Sequence, residues 1–247
     1  MDVTTIPFEF PGLPGVRCAF QMRSRPLSPL GGNISYGMGD DPVRVLETRR
    51  SLAAALGIRQ WTELAQVHGD VLHFDPSPTP FEEGPVPAGD GTATAVPGQA
   101  LAIKTADCQP VLIAHCRGDF VAALHVGWRG NRINFPASAV ERICARYRVQ
   151  PSELLAVRGP SLGPARAQFV NFDAEWGADF LPWFDEGTKT MDLWGLTRHQ
   201  LEQAGVPSRN IHGVDLCTAT MDGAFFSYRR DRNCGRQMSL IWILPAS

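Results

Sequence analysis

Three residues of the chain have the types and the spacing that a reactive site needs. Cys108 follows one apolar segment and His125 lies near the end of another, and a tight connection at residues 116–119 (CRGD) would place the two side chains together in a β-hairpin. His68 stands in a third, turn-like segment with the sequence QVHG. Two imidazoles and one thiolate are good ligands for Zn²⁺ or copper, and three protein ligands with a vacant fourth position are typical of catalytic zinc.

The spacing of these residues also allows other interpretations. Cys108 could be a nucleophile whose general base is His125. The side chains could equally be ordinary buried residues, which spacing alone favours because single histidines and cysteines carry little specificity. The adjacent residues His115 and Cys116, beside the predicted hairpin connection, form a second pair of ligand types that could be mistaken for the first.

The elements that must position these residues are three helices and a larger number of short strands. Start and stop signals predict helices at residues 41–57, 134–147 and 192–205. Short apolar runs bounded by turn residues predict strands at 101–105, 110–115, 120–128, 154–159, 210–217 and 239–244. Because strands outnumber helices and do not alternate with them regularly, the pattern favours an α+β layered fold over a doubly wound one.

The composition is typical of a folded, soluble protein. The 247 residues are 44% hydrophobic and 19% charged, so that we expect a substantial core in one domain spanning residues 1–247. A net charge of −2 argues against a nucleic-acid partner, and no apolar run reaches the roughly 18 residues of a membrane span. The first residues lack a signal-peptide pattern, and the six cysteines include no C-x-x-C pair. We therefore expect reduced thiols and a cytoplasmic location.

Three arginines stand in turn-rich sequence near glycines: Arg129, Arg229 and Arg230. Their planar guanidinium groups suit phosphate or carboxylate, although each could instead form only a surface salt bridge. The chain has no P-loop, no G-x-S-x-G and no H-E-x-x-H motif. Any phosphate or metal site must therefore be built from dispersed residues.

A set of motifs along the chain resembles, in order and spacing, the YfiH-type laccase-domain family. They are GGNISYGMGDD (31–41), QVHG (66–69), TADCQPVL (105–112), HVGWRG (125–130), GPSLGP (159–164), LWGLTRHQLEQAGV (193–206), and CT followed by FFSYRRDRNCGR (217–236). The resemblance covers nearly the whole chain. It implies an α+β fold with a core of two mixed β-sheets flanked by helices, related to a toxin family with a Cys–His catalytic pair.

The same resemblance implies that His68, Cys108 and His125 bind one zinc ion. Because the family is similar to purine nucleoside phosphorylases that also deaminate adenosine, we expect phosphorolysis of adenosine, inosine or methylthioadenosine and deamination of adenosine. Purine nucleoside and phosphate are the expected partners. The family was first described as copper polyphenol oxidases, and editing of cell-wall precursor peptides has been proposed for it; these activities, with a metal-free cysteine hydrolase, are the alternatives. The oxidase is less expected, since reduction of O₂ takes four electrons and the sequence offers one evident site.

The expected reaction assigns roles to further residues. Arg129, four residues after His125, could hold the phosphate and is counted with Cys108 among the catalytic residues. Asp107 could orient a metal-ligating histidine or act as an acid or base. Asn33 and Arg230 are candidate contacts to the substrate.

The chain departs from the family pattern at three places. Gln109 stands where an apolar residue is common, Asn131 where a small residue is usual, and residues 168–170 (QFV) where the family usually has an aromatic residue, Glu and Val. These departures leave the three expected ligands intact. They put the identity of the preferred substrate in question.

Overall fold

The computed structural model describes residues 3–24, 30–84 and 87–245, and its centre is a pair of mixed β-sheets. In chain order, the strands are Thr5–Phe8 (β1), Val16–Gln21 (β2), Gln60–Glu63 (β3), Leu72–Phe74 (β4), Gly91–Thr94 (β5), Gln99–Thr105 (β6), Gln109–His115 (β7), Val121–Val126 (β8), Leu154–Arg158 (β9), Phe184–Asp185 (β10), Thr190–Met191 (β11), Ile211–Gly213 (β12) and Gln237–Ile243 (β13). The α-helices are Pro42–Leu56 (α1), Trp128–Arg132 (α2), Phe135–Tyr147 (α3), Phe172–Glu175 (α4) and Leu193–Gln203 (α5).

The two large sheets pack against each other through one shared apolar layer. One sheet has five strands in the order β1-β2-β13-β6-β3, and the other has six in the order β12-β9-β7-β8-β5-β4; β10 and β11 form a separate pair. Leu101 and Ile103 of β6 meet Leu112 of β7 and Val121 of β8 in the layer between the sheets. This arrangement confirms the predicted α+β fold with a two-sheet core.

Helices cover the outer faces of both sheets. Val111 and Ile113 alternate with Leu112 along β7 and therefore face outward, where they pack against Val140 and Ile143 of α3. On the far side, Leu52 of α1 packs in one cluster with residues of the five-stranded sheet. Because β7 is buried on both faces, its sequence is a continuous apolar run with no alternation.

The helix signals predicted the long helices well. Asp41 caps α1 through a hydrogen bond from the Val43 N–H to its carboxylate, and Gly57 ends the helix in the left-handed conformation. The Asp192 carboxylate caps α5 in the same way by accepting the Gly195 N–H. α3 follows Asn134, as predicted.

The strand predictions were correct at 101–105, 110–115, 154–159 and 239–244 to within two residues and wrong in two details. The predicted strand 120–128 ends at Val126, because Gly127 turns the chain and its carbonyl accepts the Asn131 N–H of helix α2. The predicted strand 210–217 is regular only over Ile211–Gly213. The chain then leaves the sheet in a tight bend, in which the Leu216 N–H donates to the Val214 carbonyl. The first five strands were not predicted, because they are short and lack strong periodicity.

The predicted hairpin connection is present between β7 and β8. The Gly118 N–H donates to the His115 carbonyl at 2.8 Å, and Gly118 has a φ of 77°, which favours glycine. None of the helices among the described residues has the length and apolar character needed to cross a lipid bilayer.

Candidate metal centre and substrate cavity

The structure brings His68, Cys108 and His125 together. One donor atom from each lies within 4.8 Å of the other two, and Cys108 Sγ is 3.7 Å from His68 Nε2. The His68 and His125 rings meet edge to face with centroids 4.8 Å apart. Residues from three separate segments therefore converge, as the sequence predicted.

The register of the β7–β8 hairpin explains why Cys108 meets His125. Pro110 pairs with His125, so that Cys108, just before β7, lies opposite Gly127, just after β8. A Cβ atom at Gly127 would lie 2.9 Å from Cys108 Sγ and 3.0 Å from His68 Cδ2. Glycine is therefore required here to let the three ligand side chains approach one another.

The buried carboxylate of Asp90 organises two of the three ligand positions. Its oxygens accept the backbone N–H groups of Val67, His68 and Gly69 at 3.2, 3.0 and 2.7 Å, which fixes the turn that carries His68. Its Oδ1 also lies 2.7 Å from His125 Nδ1. The contact holds the His125 ring so that Nε2 faces the centre, the arrangement usual behind a metal-ligating histidine.

Sequence reasoning missed Asp90 and gave its role to Asp107. Asp107 does not reach a histidine: its Oδ1 accepts the Thr218 hydroxyl and its Oδ2 accepts the Arg229 N–H, both at 2.6 Å. Its φ of 99° is strained for a non-glycine residue, and its carbonyl accepts the Leu162 N–H at 2.8 Å. Asp107 therefore holds the bend that presents Cys108. The available signal for Asp90 was only an acid between two glycines in a turn-rich loop.

The electrostatics of the centre favour a charged cysteine–histidine pair. Burial alone would raise the pKa of Cys108, but His125 and His68 outweigh it and lower that pKa to about 6. Burial opposes protonation of His125, yet Cys108 and Asp90 raise its pKa to about 9. Burial likewise opposes ionisation of Asp90, and hydrogen bonds from His125 and Gly69 lower its pKa nonetheless. A thiolate is therefore available at neutral pH, as a metal ligand requires.

The residues of the centre fit a borderline divalent metal ion. Two imidazole nitrogens and one thiolate converge within bonding reach of a common point, with the carboxylate of Asp90 behind one imidazole. The glycine at position 127 leaves open the volume that a side chain would fill. The centre forms part of the wall of a cavity, so that a substrate could approach a bound ion.

This cavity has a volume of about 790 Å³ and carries an excess of positive charge. Its cationic lining residues are Lys104, Arg129, Arg229, Arg232 and Arg236, and its one acid is Asp107. Arg229 and Arg236 donate to backbone carbonyls. Arg129 stacks on Trp128 with its guanidinium carbon 4.4 Å from the ring centroid, and within the described ranges no hydrogen bond or ion pair engages the guanidinium group of Arg129 or of Arg232. Two guanidinium groups are therefore free to bind an anion.

Two residues that were expected to contact substrate lie outside the cavity lining. Asn33 is 1% exposed, and its side chain bonds Ser35, Asp40 and the Arg236 N–H, which fixes a turn outside the cavity lining. Arg230 also lies outside the lining, because its guanidinium donates to the carbonyls of Thr218, Ala219 and Phe225 and pairs with Asp222. Ser35 and Arg236, which both hydrogen-bond to Asn33, do line the cavity.

Aromatic side chains supply the apolar part of the cavity. Trp128, Phe169 and Tyr228 line it, and the Tyr228 side chain is among the exposed large residues of the chain. The Trp128 and Phe169 rings pack edge to face at 5.9 Å. Phe169 lies in the QFV segment that departs from the family pattern, so this departure places an apolar ring in the cavity wall.

The other two residues that depart from the family pattern, Gln109 and Asn131, share one hydrogen-bond partner. Gln109 Nε2 and Asn131 Nδ2 both lie 2.8 Å from the hydroxyl of Thr197 on α5. Asn131 and Gln200 also exchange hydrogen bonds. All four polar side chains are buried, so that these residues tie the start of β7 and helix α2 to helix α5.

Known proteins are similar to this chain in sequence and in fold. A family model described as multi-copper polyphenol oxidoreductase laccase matches residues 17–244. The purine nucleoside phosphorylase of Xylella fastidiosa (strain Temecula1) is 35% identical over 254 residues, covering 95% of both chains, and purine nucleoside phosphorylase YfiH of Escherichia coli K12 is 36% identical, covering 86% of both. The crystal structure of YlmD from Geobacillus stearothermophilus superposes with a TM-score of 0.83 at 26% identity, covering 95% of this chain and 94% of that one.

The fold and the site together define an α+β protein with a Cys–His–His centre at the wall of a cationic cavity. The chain belongs to the multi-copper polyphenol oxidoreductase laccase family, the laccase-domain family that its motifs resemble. The names of its relatives support an enzymatic role and a small-molecule substrate. The family and the His/Cys cluster point to metal binding.

Proposed function

We propose that this chain is a zinc-dependent purine nucleoside phosphorylase that also deaminates adenosine. The observation that carries the proposal is the cavity, in which the Cys–His–His centre and two unpaired arginines line one space. Relatives with 35–36% identity are named purine nucleoside phosphorylase, which supports the same reaction. The expected substrates are adenosine, inosine and methylthioadenosine.

Arg129 and Arg232 are the residues that we assign to phosphate. Both line the cavity, and neither guanidinium group has a polar partner among the described residues. A guanidinium group matches the geometry of phosphate oxygens and remains charged at any working pH. Stacking on Trp128 also orients the Arg129 guanidinium. Arg229 is less available, because it already donates to the Gln168 carbonyl.

The aromatic part of the cavity is suited to the purine base. The faces and edges of Phe169 and Tyr228 offer offset or edge-to-face contacts to a flat heterocycle, while the arginines hold the phosphate. A phosphate oxygen would attack C1′ of the ribose, the C1′–N9 bond would break, and its electron pair would leave with the purine, which takes up a proton. The products are ribose 1-phosphate and free base.

His68, Cys108 and His125 are the residues that we assign to zinc. Asp90 fixes the turn that carries His68 and orients the His125 ring, and Asp107 acts as a positioning residue for Cys108. A zinc ion held there would supply Lewis-acid stabilisation of developing negative charge, with no change of oxidation state. All six cysteines are free, in keeping with the cytoplasmic location that we propose.

A nucleoside panel with defined metal content tests the proposal. Protein stripped with a chelator is reloaded with zinc or copper and incubated with adenosine or inosine, with and without phosphate. We expect the zinc form to release free base only when phosphate is present, and to convert adenosine to inosine and ammonia without it. A zinc form that turns over no purine nucleoside would contradict the proposal.

The same geometry favours one competing function, a metal-free cysteine hydrolase. Cys108, His125 and Asp90 have the nucleophile–base–carboxylate order of a catalytic triad, with Asp90 2.7 Å from the imidazole. This function gives no role to His68, whose Nε2 is 3.7 Å from the cysteine sulfur. Peptidase or amidase activity that survives complete metal removal, and that alkylation of Cys108 abolishes, would establish it, with cell-wall precursor peptides as the first substrates to test.

The family description favours a second competitor, a copper-dependent phenol oxidase. A site with two histidines and one cysteine can hold copper. Phenol oxidation by the copper-loaded protein at an enzymatic rate, without purine turnover by the zinc form, would favour that activity. We expect at most slow phenol oxidation after copper loading.

A further inference from the structure

A second group of metal-binding side chains lies at the opposite end of the β7–β8 hairpin. His115, Cys116 and Glu153 each place one donor atom within 4.8 Å of the others. His115 Nε2 is 3.9 Å from Cys116 Sγ and 3.6 Å from Glu153 Oε1. Because β7 spans seven residues, this group lies roughly 20 Å from Cys108. It is therefore separate from the cavity and plays no part in the proposed reaction.

We propose that His115, Cys116 and Glu153 form a second, surface site for a borderline divalent ion of the Zn²⁺ type. An imidazole, a thiolate and a carboxylate are all established zinc ligands, and three of them leave a position open to water. The thiolate and the carboxylate together balance the charge of a divalent ion. The site would thus bind its ion without leaving a net charge on the group.

The backbone holds these side chains in place without a metal. The Cys116 N–H donates to the Glu153 carbonyl at 2.8 Å, which ties the hairpin turn to the start of β9. Glu153 Oε2 accepts the Gln150 N–H at 2.8 Å, so that Oε1 is the oxygen turned toward His115. The His115 ring is buried and stacks on Phe120 at a centroid distance of 5.1 Å. Little side-chain freedom would be lost on binding an ion.

A carboxylate also stands behind His115, as it does behind His125. Asp119 Oδ2 lies 3.1 Å from His115 Nδ1, which leaves Nε2 facing Cys116 and Glu153. The same order of carboxylate, imidazole and cysteine occurs at the proposed zinc centre, where Asp90 and Cys108 flank His125. At His115 the carboxylate lies at ion-pair distance without hydrogen-bond geometry, so that Asp119 orients this ring less firmly than Asp90 orients His125.

Arg117 is the group that an ion must displace. Its guanidinium lies 2.9 Å from Asp119 and 3.6 Å from Glu153, where it neutralises both carboxylates. The side chain is 63% exposed, so that it can move into solvent at little cost. We therefore expect Arg117 to weaken metal binding at this site and not to prevent it. Cys116 is exposed, which gives an ion direct access.

Cobalt(II) binding to the full chain tests the proposal, because cobalt–thiolate absorption counts the cysteines that ligate. In the wild-type chain we expect two equivalents of Co²⁺ or Zn²⁺ to bind. Cys116→Ser should remove the second equivalent and its thiolate absorption, while leaving phosphorolysis unchanged. Glu153→Gln should weaken the second site at least about tenfold, and its amide oxygen can still accept the Gln150 N–H. The matched control is Cys144→Ser, a half-buried cysteine of α3 outside both groups.

Arg117→Gln gives an independent test, because this substitution should increase the metal affinity of the second site. Removing the competing guanidinium should tighten the second site about threefold or more, measured against a chromophoric chelator, without changing the first site. Cys108→Ala chains should keep the Cys116-dependent cobalt absorption. The proposal is overturned if Cys108→Ala chains show no Cys116-dependent cobalt absorption, or if Cys116→Ser binds as many equivalents as the wild-type chain. A loss of the second equivalent in Cys144→Ser would also overturn it.

Discussion

The two ends of the β7–β8 hairpin carry similar side chains in different surroundings. At each end a cysteine faces a histidine whose other nitrogen lies near a carboxylate: Asp90 at one end and Asp119 at the other. At the cavity end the donors come from segments that are far apart in sequence, and Asp90 is fully buried. At the turn end two donors are adjacent residues, and Asp119 is 53% exposed at its side chain. The same donor types thus form an enclosed centre and an open surface group.

This difference shows that donor identity does not by itself distinguish a reactive centre. At the cavity end the fold adds what a reaction needs: a strained bend at Asp107, free guanidinium groups and an aromatic wall. At the turn end the nearest cation, Arg117, is already paired with carboxylates. We therefore expect substitutions at the cavity end to change activity and those at the turn end to change only metal content.

The largest difference in activity between the two ends of the hairpin is expected when the cysteine at each end is replaced in turn. Cys108→Ala should lower kcat/KM for phosphorolysis by about 10³-fold or more, because several kcal/mol of charge stabilisation depend on the bound ion. Cys116→Ala should leave kcat/KM unchanged. Circular dichroism and the melting temperature should show that both variants fold, since an open site contributes little to folding. Equal losses of activity in the two variants would remove the functional distinction between the two ends.

The next largest difference is expected between substitutions of the two carboxylates that lie beside the histidines, Asp90 and Asp119. Asp90→Asn should lower activity and metal affinity about 10- to 100-fold, as substitutions behind a metal ligand do. It should also cost about 2–3 kcal/mol of unfolding free energy, because the buried carboxylate accepts three backbone N–H groups and contacts His125. Asp119→Asn should change stability by less than about 0.5 kcal/mol, since its side chain is half exposed. Denaturant unfolding and metal titration measure both effects.

Much of this contrast could not be predicted from the sequence. The three ligands were found because a hairpin connection and the family motifs related Cys108 to His125 and added His68. Asp90 was missed because its partners depend on where the β3–β4 connection folds, which no local pattern specifies. Arg230 was predicted to contact substrate, and Arg232 of the same turn-rich segment was not considered. Only the folded turn shows that the Arg230 guanidinium bonds internally while Arg232 lines the cavity.

The fold shows the same limits. Long helices with capping residues and fully buried strands such as β7 were predictable, because their signals are local and strong. The short strands β1 to β5 acquire their pairing only from the sheet around them, so that the strand order was not predictable. The extent of the domain, residues 1–247, stays a prediction.

A smaller effect is expected from the free arginines of the cavity. Arg129→Ala and Arg232→Ala should each raise the KM for phosphate about tenfold, because each removes a charge-assisted hydrogen bond of about 1.5–3 kcal/mol. The KM for inosine should change much less. Arg59→Ala is a suitable control, because Arg59 is exposed and lies outside the cavity lining. If neither variant changes the KM for phosphate, the anion is held by other residues, such as Arg229 or Lys104.

The last comparison concerns two cations, Lys104 at the cavity wall and Arg117 at the turn. Lys104 Nζ lies 3.1 Å from the buried carboxylate of Glu63, which favours a charged lysine, but burial and the nearby Arg49 outweigh this contact and lower the pKa of Lys104 to about 7. The unfolded chain, with the ordinary lysine pKa near 10.5, then binds more protons than the folded chain between pH 7 and 10.5. Lys104 should therefore make stability rise with pH in this window, by at most about 1.4 kcal/mol per pH unit.

Two variants separate this contribution from the rest of the pH profile. Lys104→Met should flatten the rise of unfolding free energy between pH 7 and 9, and it leaves the ion pair between Arg49 and Glu63 intact. Arg117→Gln should follow the wild-type profile, because the exposed guanidinium keeps its charge throughout. Urea unfolding at a series of pH values measures the slopes. If the profile of Lys104→Met is parallel to that of the wild type, Lys104 keeps its charge in the folded protein. Arg49, Glu63 and Lys104 would then all be ionised in the folded state.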